Sequence, residues 1–399
     1  MPALRKRLLD RLHSRNNLLE VSLRQTIAGA HLDFLRGIAA VAVVLGHIRL
    51  HFFRESIGRT LWYPDFAHEA VIIFFVLSGY LIGRSILQAV ARKNWSSRAY
   101  AASRLIRLWL VLLPALILTA AWDNLGLRFF GAASRSPNFG SDSAATFVGN
   151  LMFLKKVATP TFGNNYPLWS LAYEFWYYVA GPLLIFACAA ESTLLAGWLG
   201  LSALVILAVT GRTITAYFGM WLLGLTICLW PRREVLALKA ARHLVSIPFV
   251  LALVAGTICY RTSGSAKLDF VGDGLVAISC AALIYVLIHD PRPAAGGALY
   301  GTVAAAMASF SYTLYLTHNP LLNILSCAVA RPRWPMDGAH LLMVPPIAAL
   351  ALTYGYLIYY VTERHTDRIR RVILTATGQE PHQKSPPARN ITTATSIVQ

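Results

Sequence analysis

Ten apolar stretches fall between residues 34 and 361, and each is long enough to cross a bilayer. They lie near 34–53, 68–90, 105–122, 168–190, 193–210, 213–231, 243–260, 270–289, 301–329 and 339–361. Crossing the hydrocarbon takes roughly 20 apolar residues of helix, and every backbone N–H and C=O must be satisfied inside the segment. The expected fold is therefore all-α, a polytopic membrane bundle of about ten transmembrane helices. Composition agrees. Of 399 residues, 56% are hydrophobic and 14% are charged, against roughly 25% charged in a soluble domain. The stretch 301–329 is long and contains Pro320, where a kink or break is expected because proline removes a helical N–H.

The net charge of +18 suggests nucleic acid at first sight, but the basic residues gather at the ends of the apolar stretches. One set of ends holds 23 of the 36 lysines and arginines, including Arg84, Arg92, Lys93, Arg98, Arg104, Arg107, Arg364, Arg368, Arg370 and Arg371. That set is expected on the cytoplasmic face, and an even number of crossings puts both termini there. Residues 1–30 read as a basic cytoplasmic segment with no apolar core of a signal peptide, so no cleavage is expected. Residues 31–365 read as the membrane domain, and 366–399 as a polar, disordered cytoplasmic tail. The longest outer loop, about 123–167, contains an amphipathic piece at 146–156 suited to the interface. Cys188, Cys228, Cys259, Cys280 and Cys327 all lie in apolar stretches without metal or disulfide spacing and read as small core residues. No internal repeat is visible.

Ionisable residues inside such stretches are costly and usually line a cavity or pathway. Arg36 and His47 lie in the first stretch, eleven residues apart, so both project from one helix face about 16 Å apart along the axis. Histidine can exchange a proton with a hydroxyl near neutral pH. In the second stretch, Ser78-Gly79 permits close helix approach, a packing contact as readily as a wall of a site. Arg104 and Arg107 share a face at the entrance of the third. Arginine pairs suit phosphates, whether of a soluble ligand or of lipid headgroups. Ser170, Glu174, Tyr177 and Tyr178 share a face of the fourth, next to Trp169. A carboxylate there needs a partner, and His47 lies at comparable depth. Ser311, Tyr315 and His318 share a face beside Pro320, which frees a backbone carbonyl. The bland alternative for this face is a network of interhelical hydrogen bonds. His47 and His51 have zinc-compatible spacing, but no third ligand stands out, so no metal is expected.

Taken together, the chain from Asp33 to about Glu363 resembles the acyltransferase family 3 membrane proteins, bacterial O-acyltransferases of saccharides and related acceptors. Arg36-Gly37 followed by His47 looks like the family's first-helix motif. Phe75-x-x-Ser78-Gly79-x-x-Ile82, Arg104-x-x-Arg107, Trp169-x-Leu171-x-x-Glu174 and Ser311-x-x-x-Tyr315-x-x-His318 look like its later signatures. Each motif is short; their order and helical placement carry the resemblance. Some members add a C-terminal hydrolase-like domain. None is expected in this chain, so direct transfer to the acceptor is expected.

The resemblance implies a bacterial inner-membrane enzyme with cytoplasmic acyl-CoA, most often acetyl-CoA, as donor substrate. The implied acceptor is a hydroxyl of a carbohydrate or lipid-linked saccharide. On that reading His47 is expected to act as general base or transient acyl carrier, Glu174 to orient it as a carboxylate does in a catalytic triad, and Arg36 to hold the phosphopantetheine or polarise the thioester carbonyl. Arg104, Arg107, Ser78 and Gly79 would form the donor site, and Trp169, Ser311, Tyr315 and His318 the acceptor side. Buried Arg, His and Glu also fit a proton-coupled transporter or flippase. That alternative expects repeated halves with matched broken helices, which the sequence lacks.

Overall fold

A computed structural model describes residues 23, 26–54, 66–231, 244, 246–255, 266–290, 292 and 298–376. The basic segment 1–22, Cys259 and the tail from 377 lie outside the described residues, as do both flanks of the stretch 243–260. The described residues are all-helical, with isolated bridges and no strand. We number the helices α1 (Ala28–Phe52), α2 (Ala67–Ala91), α3 (Ser97–Phe130), α4 (Ala144–Leu151), α5 (Leu168–Ala189), α6 (Thr193–Thr210) and α7 (Arg212–Ile227). They continue as α8 (Ser246–Ala255), α9 (Ala266–Leu287), α10 (Ala298–Ser309), α11 (Ser311–Val329), α12 (Val344–Val361) and α13 (Thr366–Ala376).

Seven helical segments are long and apolar enough to cross a membrane: α1, α2, α3, α5, α6, α9 and the segment containing α12. Side-chain placement is that of a multi-pass membrane protein. Leu194, Trp198, Leu201, Leu204 and Val209 of α6 are exposed, as are Leu357 and Tyr360 of α12. Meanwhile Thr313, Thr317, His318, Asn319 and Asn323 of α11 are buried. Surface apolar and interior polar groups suit a solvent of hydrocarbon, where the bundle interior is the only place a polar side chain finds partners.

The seven exclude α11, although it lies at the centre, packed on α1, α3 and α12. It faces protein nearly all round, so it has no need of an apolar surface. The expected break in 301–329 is present at Phe310 and not at Pro320. Ser309 Oγ donates to Ala306 O (2.7 Å) and Ser311 Oγ to Ala308 O (2.8 Å), so hydroxyls take carbonyls that a continuing helix would use. Pro320 stays inside α11 because the carbonyl it frees, Leu316 O, accepts from Asn165 Nδ2 at 2.9 Å. Pro182 in α5 is accommodated the same way: Tyr178 O accepts from Tyr100 OH at 3.1 Å. Both helices run on because a side chain replaces the missing donor.

Two further expectations change. Residues 366–376, expected to open a disordered tail, form α13, which docks on α3 with Leu374 buried. The loop expected over 123–167 is shorter, because α3 runs to Phe130. Within it, α4 leaves Val148 and Met152 exposed, an apolar face in the expected place.

Candidate active site

One end of the bundle gathers the start of α3, the end of α2, the break between α10 and α11, and the α12–α13 connection. These enclose a mouth of about 490 Å³ lined by Trp95, Tyr100, Arg104, Arg107, Glu363 and Arg370, among others. The volume falls in the roughly 300–1,000 Å³ range of small-molecule sites. Arg104 lies over the rings of Tyr100 (5.4 Å) and Tyr178 (5.7 Å), and its Nε is buried without a hydrogen-bond partner.

Deeper in the bundle lies a chamber of about 130 Å³. Its polar wall is Arg36 of α1, Ser78 of α2, Arg107 of α3, Ser170, Glu174 and Tyr178 of α5, and Ser311, Tyr312 and Tyr315 of α11. Arg107 lines both cavities. The charges offset one another, as buried charges must. Arg36 pairs with Asp33 at 2.7 Å, and Arg36 and Arg107 both interact electrostatically with Glu363. Glu174 acts on Arg107 and accepts hydrogen bonds from Tyr178 OH and from Ser78 Oγ (3.3 Å). Trp221 Nε1 donates to Ser78 Oγ at 3.3 Å, which fixes that hydroxyl toward the carboxylate. Across the chamber, Tyr315 OH donates to Pro167 O (3.0 Å) and lies 2.6 Å from Ser170 Oγ.

Sequence reasoning passed over Glu363. Its Oε2 accepts from Thr313 Oγ1 (2.7 Å) and Thr313 N (3.3 Å). The latter N–H is one of the orphan donors at the new helix start created by the break at Phe310, so a carboxylate from another element caps α11 there. The available signal was an acid placed directly after the apolar run 339–361.

Beyond Tyr315, one turn along α11, the ring of His318 meets that of His47 edge-on, with centroids 4.9 Å apart. Nδ1–H of His47 donates to Val43 O (2.8 Å) and Nδ1–H of His318 to Leu314 O (2.9 Å). A carbonyl only accepts, so both imidazoles carry the Nδ1 proton and Nε2 is the basic nitrogen of each. His318 Nε2 is buried with no hydrogen-bond partner. His51, one turn further along α1, bonds Asn319 at 3.0 Å through its Nε2.

The geometry redistributes the expected roles. Glu174 hydrogen-bonds Tyr178 and Ser78 rather than His47, and the chamber wall does not include His47. The Nδ1–H of the imidazole is held by a backbone carbonyl, Val43 O. Gly79 lies outside both cavities. A Cβ there would meet Trp221 O at 1.9 Å, so this glycine lets α7 approach α2. Tyr177 turns away to donate to Ile214 O (2.8 Å). Trp169 stands in an aromatic cluster with Phe75, Tyr173 and Tyr217, beside the His68–Asp273 pair (2.9 Å), and not in the chamber wall. Arg36, Ser78, Arg107, Ser170, Glu174, Ser311 and Tyr315, from five separate sequence motifs, do converge on one chamber.

A family model described as an acyltransferase domain matches residues 30–364, which include the whole lining of the chamber and most of that of the mouth. The chain belongs to the acyltransferase 3 family. It is 26% identical over 359 residues to a protein of Bacillus subtilis (strain 168) named "Putative peptidoglycan O-acetyltransferase YrhL". The match covers 82% of this chain and 54% of that protein, so the chain spans about half the length of the curated relative. No solved structure matches it.

Proposed function

We propose that this protein is a membrane O-acyltransferase that moves an acyl group, most simply acetyl, from cytoplasmic acyl-CoA to a carbohydrate hydroxyl. The carrying observation is Arg107, which belongs to the wall of both the basic mouth and the inner chamber. A donor with phosphates at one end and a thioester on a long arm matches that pair of cavities. The phosphates sit at Arg104 and Arg107, and the arm passes Arg107 into the chamber beside Arg36. The acceptor enters from the opposite end of the bundle, toward His47 and His318. Membership of the family and the likeness to a protein named as an O-acetyltransferase support acyl transfer to oxygen.

In this reading the acceptor hydroxyl gives its proton to His47 Nε2 as its oxygen attacks the thioester carbonyl. The C–S bond breaks, an ester C–O bond forms, and the imidazolium returns the proton to the departing thiolate. Val43 O holds the imidazole in the tautomer this requires. The basic ends of the bundle face the cytoplasm of a bacterial inner membrane, so both termini are cytoplasmic and the mouth opens where acyl-CoA is made. The decisive experiment follows thiol release from acetyl-CoA by the purified protein, with a host membrane-glycan extract as acceptor. Release that needs the extract and falls by about 10²–10⁴-fold in His47→Ala is expected. Extract-dependent release that is unchanged in His47→Ala would remove that histidine from the chemistry. No release with any chain length of acyl-CoA would overturn the enzymatic reading.

A further inference from the structure

The outer wall of the mouth is built by the segment after α12, which sequence composition assigns to a disordered tail. Asp367 and Arg370 line the cavity, and Leu374 on the same stripe of α13 is buried. The spacing i, i+3, i+7 puts all three on one helix face, so the docking of Leu374 also directs Arg370 into the mouth. Arg364 lines the same wall, with its guanidinium 4.3 Å from the Tyr360 ring.

The mouth therefore contains two cationic stations. The inner one is Arg104 and Arg107 on α3, where Arg107 also borders the chamber and Arg104 Nε is an unpartnered buried donor. The outer one is Arg364 and Arg370, nearer solvent, with the Arg370 side chain 37% exposed. Arg370 pairs with Asp367 at 3.0 Å, and the acid is 61% exposed. An exposed pair of this kind holds weakly, so a phosphate dianion offering bidentate acceptors can displace it. Two stations call for a ligand with two separate anionic groups. Coenzyme A has such a pair: a diphosphate in mid-molecule and a phosphate on the ribose 3′ carbon.

Resting on the donor reading above, we propose that Arg370, supported by Arg364, recognises the ribose 3′-phosphate of the donor, and that α13 is the element that selects phosphorylated coenzyme. The inner station then takes the diphosphate, nearer the thioester arm. The C-terminal helix becomes part of the donor site rather than the start of a tail.

The test compares binding of coenzyme A and 3′-dephospho-coenzyme A to the full chain, for wild type, Arg370→Gln and Arg364→Gln. The protein is held in phosphatidylcholine nanodiscs, so no anionic headgroup competes for the arginines. Wild type is expected to bind coenzyme A about tenfold or more tightly than the dephospho form. Arg370→Gln is expected to bring coenzyme A down to the dephospho level and to leave dephospho binding unchanged. That retained binding also shows that the variant is folded. Arg364→Gln is expected to narrow the preference in part. Equal binding of the two ligands by wild type would overturn the inference while leaving the mouth as a donor site. An equal loss of both ligands in Arg370→Gln would overturn it too. Binding of neither ligand by wild type would overturn the donor reading and this inference with it.

Discussion

His47 and Glu174 lie in two neighbouring but different settings, and their substitutions separate accordingly. The carboxylate sits against Tyr178, Ser78 and the charge of Arg107, whereas the imidazole is oriented by Val43 O and flanked by His318. If Glu174 were the counter-charge of an imidazolium, Glu174→Gln would move the acid limb of the kcat/KM profile. A loss of one charge partner of this kind shifts a titration by about a unit or more. The structure predicts that Glu174→Gln lowers the plateau rate and leaves the midpoint of that limb in place. A shifted midpoint would restore the expected pairing of Glu174 with His47. The pairing was not legible in the sequence because spacing fixes only which residues share a face of one helix. Tyr315 and His318 could be placed together that way, as could Glu174 and Tyr178. Which face meets which is decided by helix packing, where α11 slots between α1 and α3.

Helix α11 shows what hydropathy can and cannot locate. Its polar residues lower its apolar character below that of a lipid-facing span, yet the same residues identify the site once the bundle encloses them. Its proline is tolerated because of one side chain, which gives a testable coupling. Asn165→Ala leaves Leu316 O without its donor and is expected to cost about 1–3 kcal/mol. Pro320→Ala restores an N–H at position 320 that can serve the same carbonyl. In that background Asn165→Ala is expected to cost distinctly less, read as the difference in thermal unfolding midpoints in detergent. Equal costs in both backgrounds would mean that the amide is not replacing the helix bond. Ser78 and Gly79, adjacent in one motif, are predicted to fail differently. Gly79→Ala forces a Cβ onto Trp221 O and is expected to lower the unfolding midpoint and the yield. Ser78→Ala removes a hydroxyl from the chamber wall and is expected to keep the fold and lower the rate. A well-folded, inactive Gly79→Ala would return the glycine to the site.

The mouth lies at one end of the bundle, and the proposed reaction depends on which end meets the cytoplasm. The mouth end carries the start of α3 and the basic α13, and the other end carries the segment between α3 and α5. Charge bias read from the sequence assigns the mouth to the inside. The end of α2, the start of α3 and the residues just after α12 meet around that one cavity. Side selectivity can be tested with cysteines introduced at exposed positions in a Cys259→Ala background, because the native Cys228, Cys280 and Cys327 are buried and Cys188 is half-buried. Arg98→Cys marks the mouth end and Asn138→Cys the opposite end, both away from the cavity walls. An impermeant maleimide added to intact cells is expected to label Asn138→Cys and to reach Arg98→Cys only after the membrane is opened. The Cys259→Ala protein serves as the blank for any slow reaction of Cys188. The reverse pattern would turn the protein over, with the mouth facing a compartment that holds no acyl-CoA. The donor would then have to be something other than a cytosolic thioester, and the arginines of the mouth would need a different anion.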